Sequence, residues 1–191
     1  MGLVRDALLR LTGRKRNRNR VEEFRRRGVV IGERVGIEAD TIIDPCHGFH
    51  VEIGDDVGIA PRVHILAHDA STKLHLKYTR IGRVKIGNRV FIGAGVIILP
   101  GVVIGNDVII GAGSVVTRDI PSESVAAGNP ARVICSLKDY IAKRREEMSR
   151  CTCFGTEYSF ADEYGGGVKV TDEMKREMNE ILDKSKIGYI I

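Results

Sequence analysis

The chain has 191 residues, of which 43% are hydrophobic and only 5% aromatic, with 22 glycines and no tryptophan. This composition supports one folded domain with appendages, whose Ile- and Val-rich core has to be narrow and regular. The formal net charge is +5, yet no nucleic-acid-binding motif accompanies the basic residues. No stretch reaches the roughly 20 apolar residues of a membrane span. We therefore expect neither a nucleic-acid partner nor a membrane-spanning helix.

Residues 1–28 are predicted to form a basic helical segment in front of the main domain. An apolar stripe within residues 3–11 precedes the run "RKRNRNRVEEFRRRG" of residues 14–28, whose plainest interpretation is a solvated helix face. Two roles for the whole segment stay open. It could adsorb weakly to anionic lipid at the inner face of a membrane. Alternatively, it could pack on residues 29–31 and cover their exposed strand edge, with its arginines facing water.

An aliphatic residue returns at every sixth position between residues 86 and 116, a period that belongs to neither a helix nor a single strand. This hexapeptide period predicts a parallel β-helix, in which six residues make one side and three sides make a coil of eighteen. One aliphatic residue per side is expected to point inward, and burying each is worth roughly 1.5–3 kcal/mol. The residue after it is often glycine, where a side chain would crowd the corner. The repeating positions are Ile86, Ile92, Ile98, Ile104, Ile110 and Val116.

The same repeat occurs earlier in the chain, but its register breaks twice. Four residues are inserted between Ile43 and Ile53, around "DPCHG". The second break lies between Ile65 and Ile86, a separation interpreted as one full coil plus three residues. Irregular segments on a rigid scaffold often carry function, so residues 66–85 are predicted to be an active-site loop. A tolerated surface insertion is the alternative.

The repeat domain is predicted to span residues 29–134, and a helical extension to span residues 135–191. Pro121 and Pro130 cannot sit inside a strand ladder and therefore mark the last coil. A capping box at Ser136 and Asp139 predicts a helix from there, followed by a loop-like stretch, a second helix at residues 171–185 and an apolar tail. The tail should pack on its own domain or on a neighbouring subunit. Four cysteines without a C-x-x-C pair are expected to be reduced thiols, as in a cytoplasmic protein.

The stretch from Val29 to Ile134 resembles the hexapeptide-repeat acyltransferases. The segments "VEIGDDVGIAPRVHILAHD" and "KIGNRVFIGAGVIILPGVVIGNDVIIGAGSVVTRDIPSESVAAGNPARVI" carry the resemblance, and the ending "AAGNPARVI" is typical of the acyltransferase branch. The pattern is similar to that of galactoside and maltose acetyltransferases and of surface-polysaccharide sugar O-acetyltransferases. The resemblance implies a mainly β fold with a left-handed parallel β-helix, here with helical segments at both ends. It also implies a homotrimer with active sites between subunits.

The resemblance further implies transfer of an acetyl group from acetyl-CoA to a hydroxyl of a sugar or glycan, without a metal. His68 in "ILAHDAS" corresponds to the catalytic base of the galactoside enzymes. An imidazole suits that role because its ordinary pKa, near 6.5, lets it accept a proton at neutral pH. Asp69 follows where those enzymes carry proline, and its carboxylate could orient the imidazole or equally cap the turn.

Six positions are implied to bind the coenzyme. Four match residues that contact the pantetheine arm, and two arginines fall where basic residues meet the coenzyme phosphates. The planar fork of an arginine suits phosphate oxygens. The four are Ala94, Gly95, Ala112 and Thr117, and the two arginines are Arg118 and Arg132.

Three alternatives remain. An N-acetyltransferase acting on an amino sugar, free or nucleotide-linked, would use the same fold and base. A zinc enzyme similar to the γ-class carbonic anhydrases could use His47, His64 and His68, although the expected H-x-x-x-x-H spacing is missing. A β-helix that serves only as a scaffold would not need His68. The acceptor-binding asparagine of the galactoside enzymes has no evident counterpart near "EADTIID", so a galactoside acceptor is not supported.

Overall fold

The computed structural model describes residues 17–155 and 171–190. Contacts divide this part of the chain into two compact units. The larger unit is residues 19–140, and the smaller contains residues 17–18, 141–155 and 171–190. The predicted apolar stripe at residues 3–11 lies outside the described residues. Among the helices in the described ranges, none combines the length and the apolar character needed to cross a bilayer.

The larger unit is built from very short strands that fall on three sheets, here called A, B and C. Most consecutive strands go to sheets A, B and C in rotation. The exceptions are one hairpin, β7 and β8, which stands apart, and the last two strands of this unit, which both belong to sheet B. In chain order the strands are β1 (Val30–Ile31), β2 (Gly36–Ile37), β3 (Ile42–Ile43), β4 (Val51–Ile53), β5 (Gly58–Ile59), β6 (His64–Ile65), β7 (His68–Asp69), β8 (Arg80–Ile81), β9 (Val84–Ile86), β10 (Phe91–Ile92), β11 (Ile97–Ile98), β12 (Val103–Ile104), β13 (Ile109–Ile110), β14 (Val115–Val116), β15 (Ser124–Gly128) and β16 (Ala131–Ser136).

Within each of the three sheets the neighbouring strands from successive coils run parallel. Phe91 pairs with Ile109 and Ile97 pairs with Val115, in each case eighteen positions further along the chain. That register is the predicted three-sided coil, and the rotation of strands through three sheets is the topology of a parallel β-helix. The final strand, β16, departs from it by pairing antiparallel with β15.

The second register break differs from its prediction. Ile65 lies on sheet C and Ile86 on sheet A, which are adjacent sides of the coil. The two residues are twenty-one positions apart where one side needs only six. No coil is therefore hidden between them, and nearly the whole of residues 66–83 projects from the scaffold. This excursion contains the β7–β8 hairpin and a short helix, α2 (Lys73–Leu76).

Two residues of most sides are buried, so the expectation of one inward residue per side was wrong. Ile92 and Ile98 are fully buried, and so is Val96, which stands two positions before Ile98. Val90, two positions before Ile92, is 2% exposed. Residues two apart in an extended segment point to the same face. On most sides a valine therefore joins the isoleucine that stands two positions after it, and both side chains point into the interior.

The predicted crowding at the corner glycines is confirmed. A Cβ built on Gly93 would lie 2.5 Å from the backbone nitrogen of Ala112, one coil further on. At Gly105 a Cβ would lie 2.5 Å from the backbone nitrogen of Ser122. Because the obstacle is backbone, any side chain at these positions would push successive coils apart.

The first coil is covered by α1, which the described residues contain from 17 to 26. Val21 and Phe24 are buried in the same apolar cluster as Ile31. Arg25 does not face water as expected. Its Nη2 donates to the carbonyl oxygens of Ile31 at 2.9 Å and of Gly32 at 3.0 Å. These contacts favour the interpretation that this segment caps the strand edge.

The helix α3 (Leu137–Met148) begins at the end of the larger unit and continues into the smaller one. Ser136 caps its N-terminus, since Ser136 Oγ accepts from the backbone N–H of Asp139 at 3.0 Å and donates to the Asp139 carboxylate. In the smaller unit, α4 (Asp172–Ser185) is also where the sequence predicts it.

The stretch predicted as loop-like contains a strand, β17 (Cys153–Phe154), which pairs parallel with β18 (Tyr189–Ile190). The apolar tail thus packs on its own chain. Pairing satisfies the backbone of two short apolar segments that neither segment could satisfy alone.

Candidate active site

Both register breaks leave the scaffold at the same corner, between sheets C and A. Residues 44–50 follow β3, and residues 66–83 follow β6 on the next coil. Ile43 and Ile65 are register partners on sheet C, so the two excursions start side by side.

Asp44 joins the two excursions at their bases. Its side chain is fully buried. Oδ1 accepts hydrogen bonds from the backbone N–H groups of Cys46 at 3.0 Å and His47 at 2.9 Å. Oδ2 accepts from the backbone N–H of Ala67 at 2.9 Å and lies 2.5 Å from His68 Nδ1. One carboxylate therefore holds the first excursion, the start of the second, and an imidazole.

The surroundings of Asp44 keep it ionised. Burial raises the pKa of its carboxyl group, but the hydrogen bonds from His47, His68, Ala67 and Cys46 outweigh burial and lower that pKa to about 2. An ionised carboxylate can only accept hydrogen bonds, so the proton in the contact with His68 sits on Nδ1. The other ring nitrogen, Nε2, is then unprotonated in the neutral imidazole. The His68 side chain is 30% exposed, which leaves the ring accessible to a substrate.

Two roles were left open for Asp69, orienting the His68 imidazole or capping the turn, and its hydrogen bond is in the turn. Its Oδ1 accepts from the backbone N–H of Ser71 at 2.8 Å. Hydrogen bonds from the backbone and side chain of Ser71 lower the pKa of its carboxyl group. The geometry thus matches the turn-capping alternative for Asp69, and Asp44 is the carboxylate that contacts His68.

Asp44 was not among the predicted site residues, because it lies 24 positions before His68 in the sequence. The available signal was indirect. Asp44 follows the inward Ile43, and His68 stands three positions after Ile65, the register partner of Ile43. Recognising the pair required placing the two isoleucines on one sheet across a register break, which the six-residue spacing alone does not establish.

A row of rings extends from His68 along the first excursion. The ring of His47 lies 4.8 Å from that of His68, centroid to centroid, and 5.9 Å from that of Phe49. Phe49 and His50 are 4.4 Å apart. Nδ1 of His47 is buried, has no hydrogen-bond partner, and lies 3.9 Å from Asp44 Oδ1.

Asp44, His47 and His68 are the one group of potential metal ligands found within the described residues, and their ligand atoms lie within 4.8 Å of one another. They do not fit a zinc ion in this arrangement. Two ligands of tetrahedral zinc, with bonds of about 2.1 Å, stand roughly 3.3 Å apart. Asp44 Oδ2 and His68 Nδ1 are 2.5 Å apart, a hydrogen-bond distance. His64, the third histidine of the carbonic anhydrase alternative, does not belong to this group.

The predicted coenzyme positions fall into three places. Ala94, Gly95 and Ala112 lie at the corner between sheets B and C, in the segments after β10 and β13. Thr117 and Arg118 are exposed and follow β14, on the same corner column as His68 but two coils further along. Arg132 is exposed on β16 and donates to its own neighbour's carbonyl, Ala131 O, at 2.8 Å.

One protomer therefore does not gather these positions around His68. The six-residue side that separates the B–C corner from the C–A corner spans on the order of 16–20 Å when extended.

Three-sided coils of short parallel strands, with an eighteen-residue register, are characteristic of the hexapeptide-repeat transferases. The family model "Bacterial transferase hexapeptide (six repeats)" matches residues 83–118. A solved galactoside acetyltransferase in complex with coenzyme A is 30% identical, with a TM-score of 0.52, and the match covers 73% of this chain and 82% of that one. The chain belongs to the hexapeptide-repeat acetyltransferase family.

Two curated relatives extend the comparison. Protein CapG of Staphylococcus aureus is 40% identical over 127 residues, which is 64% of this chain and 74% of that protein. Galactoside O-acetyltransferase of Escherichia coli K12 is 44% identical over 104 residues, 52% of this chain and 49% of that enzyme. The chain thus matches about half the length of the galactoside enzyme.

Proposed function

We propose that the protein transfers an acetyl group from acetyl-CoA to a hydroxyl of a sugar or glycan acceptor, with His68 as the general base. The observation that carries the proposal is the contact between His68 Nδ1 and the buried, ionised Asp44. It is the arrangement that acyl transfer to a hydroxyl needs, namely a fixed imidazole with an unprotonated nitrogen facing outward. The similarity to galactoside acetyltransferases supports the reaction class.

In the proposed reaction, His68 Nε2 takes the proton of the acceptor hydroxyl as its oxygen attacks the thioester carbonyl. Asp44 holds the Nδ1–H and stabilises the imidazolium that forms, without itself being protonated. The tetrahedral intermediate then collapses, the carbon–sulfur bond breaks, and His68 returns the proton to the departing thiolate. The products are an acetyl ester and free coenzyme A, and because His68 has given up its proton the protein returns to its starting state.

The coenzyme is proposed to lie along the B–C corner, on Ala94, Gly95 and Ala112. Glycines at φ +68° and +69°, Gly95 and Gly113, leave open space where a Cβ would stand. Stacked corners of this kind present flat peptide surfaces on which an extended pantetheine arm can rest. Thr117, Arg118 and Arg132 remain proposed contacts to the arm and the phosphates.

A homotrimer is proposed because the two halves of this site lie on different corners of one protomer. The outward residues of sheet C are mostly aliphatic: Ile42 is 45% exposed, and its register column continues through His64, Ile97 and Val115. Packing this face near a threefold axis would bring the His68 corner of one subunit to the coenzyme corner of the next. We also infer the left-handed coil that the resemblance implies.

The test is a screen of purified protein with acetyl-CoA, in which release of the coenzyme thiol is followed with neutral sugars, amino sugars and nucleotide-linked amino sugars. Acceptor-dependent thiol release with an O-acetylated product is expected, and His68→Ala should slow it by at least about 10²-fold. An N-acetylated product would favour the amino-sugar alternative. If the purified protein contains stoichiometric zinc, and if removing the zinc also removes the activity, the carbonic anhydrase alternative is favoured. If no acceptor is acetylated, the scaffold alternative is favoured.

A further inference from the structure

The excursion at residues 45–50 is a built feature of this chain rather than a slack loop. At its start, the backbone N–H groups of Cys46 and His47 are fixed by Asp44. At its end a 3-10 helix, Gly48–His50, leads directly into β4. Gly28, with φ +87°, lies so close that a Cβ there would stand 2.9 Å from Phe49 Cβ. The segment is therefore held from both sides, and Asp44 ties it to the base His68.

One of the side chains that this segment presents to solvent is an aromatic ring, that of Phe49. Phe49 is 57% exposed although the neighbouring Gly48 is buried. Its ring centroid lies 4.4 Å from that of His50 and 5.9 Å from that of His47. The His47 ring centroid in turn lies 4.8 Å from that of His68. An exposed ring that is fixed by its neighbours loses little conformational entropy when a ligand packs on it. Such a ring beside a catalytic base is suited to contact the molecule that the base deprotonates.

We propose that residues 45–50 form the acceptor-side wall of the active site, and that Phe49 is the ring on which the apolar C–H face of a pyranose acceptor stacks. This inference rests on the proposed function of His68. His47 is assigned as a positioning residue, because its ring packs on that of His68 and its backbone N–H is held by the same Asp44 carboxylate. The hydroxyl to be acetylated would then project past His47 toward His68.

The chain has no tryptophan, which permits a direct test. Phe49→Trp creates a single-tryptophan protein whose emission reports on contact at that ring. Phe91→Trp is the matched control, since Phe91 is 43% exposed on β10, away from the C–A corner. Each variant is titrated with methyl β-D-galactopyranoside, maltose and glucosamine, and with glycerol as an acyclic polyol. A saturable change in emission is expected for at least one saccharide at position 49, and for none of the four at position 91.

Kinetics supply the second measurement. Phe49→Ala should raise KM for a saccharide acceptor about 3- to 10-fold, the usual size of a lost aromatic contact. The KM for acetyl-CoA should not change, and Phe49→Tyr should restore the acceptor KM. Phe91→Ala should leave the acceptor KM as it is.

The outcomes separate this inference from the proposed function. Suppose that saccharides are acetylated, that the emission of Phe49→Trp does not change with any saccharide, and that Phe49→Ala has the same acceptor KM as Phe91→Ala. The proposed acceptor-side wall is then wrong and the proposed function stands. If Phe49→Trp responds to saccharides while no acetyl transfer occurs, the binding wall stands and the proposed reaction fails. Silence of Phe49→Trp toward every saccharide tested overturns the wall whether or not acetyl transfer is observed.

Discussion

At two corners of the coil, a side-chain oxygen accepts a backbone N–H of the neighbouring coil, but the consequences differ. At the A–B corner, a side-chain oxygen on one coil accepts from the backbone N–H of the equivalent residue on the coil before. The distances are 2.7–3.0 Å along the whole column, which runs Glu33, Asp55, Asn88, Asn106 and Ser122. At the C–A corner, Asp44 likewise accepts the backbone N–H of Ala67 on the neighbouring coil, but it also holds His68.

The two corners differ in the hydrogen-bond donors that surround the accepting side chain. Along the A–B column each of these side-chain oxygens accepts one backbone N–H from the neighbouring coil, so the hydrogen bonds hold successive coils together. The break after β3 gives Asp44 additional donors and brings an imidazole within reach. A structural carboxylate becomes part of a reactive pair where the register is interrupted, and the regular coils on either side keep that pair in place.

The largest effect is expected when the His68 imidazole at the C–A corner is removed. His68→Ala should lower kcat by at least about 10²-fold, because general-base assistance is typically worth 10²–10⁴. Binding of acetyl-CoA should persist. His75→Ala is the control, since His75 is exposed on α2 in the same excursion, and it should lose much less. Equal losses in the two variants would remove His68 from its proposed role.

The second effect removes the charge at the same corner. Asp44→Asn should lower kcat by roughly 10- to 100-fold, because an amide cannot both accept the Nδ1–H and stabilise an imidazolium. The saturating rate with acetyl-CoA and a saccharide acceptor is the measurement. Asp69→Asn provides the comparison, since Asp69 contacts Ser71 and not the ring. A greater loss of kcat at Asp69 than at Asp44 would reverse the assignment.

The pH dependence of stability sharpens the same comparison. The pKa of the Asp44 carboxyl group is about 2 in the folded protein, against an ordinary 3.8. A group with a lowered folded-state pKa stabilises the fold fully above its ordinary pKa, and this contribution is lost as the pH falls through the folded-state value. The gap in thermal midpoint between wild type and Asp44→Asn should therefore be constant from about pH 7 to pH 5 and narrow from about pH 4 to pH 2. A gap that widens on acidification would contradict this account.

Two glycines test how tightly the regular corners are packed. Gly93→Ala places a Cβ 2.5 Å from Ala112 N, whereas at Gly113 nothing lies within 4 Å and only the positive φ of +69° resists a side chain. Gly113→Ala should cost about 1–2 kcal/mol for the left-handed backbone, and Gly93→Ala should lower the thermal midpoint further. Similar midpoints for the two variants would mean that the coils can separate at no cost.

The smallest effect is expected from the ion pairs on the outside of the A–B corner. Arg34 pairs with Asp56, and Arg89 with Asp107. The arginine side chains are 63% and 58% exposed, so solvent and salt screen them. Arg89→Ala should leave the thermal midpoint almost unchanged at physiological salt. A large drop would mean that these pairs, and not the backbone ladder, hold the corner.

The regular part of the fold could be predicted because a six-residue period has one structural explanation. Ile98, Ile104 and Ile110 are at the predicted inward positions. The second column of buried valines does not follow from a period of one inward residue in six, although alternation along a strand places Val96 and Ile98 on the same face. The site was harder, since His68 was reached through resemblance and its partner Asp44 depends on which coils stack across a break. Its coenzyme half remains a prediction.

The two covered ends of the coil have a consequence for growth. Each interior coil meets only its neighbours, so the stack has no intrinsic length. An uncovered first coil would offer parallel-strand N–H and C=O groups to the last coil of another molecule, a head-to-tail contact that does not close on itself. Phe24 and Arg25 at one end, and the antiparallel pairing of β16 at the other, cover the strand edges through which such growth would proceed.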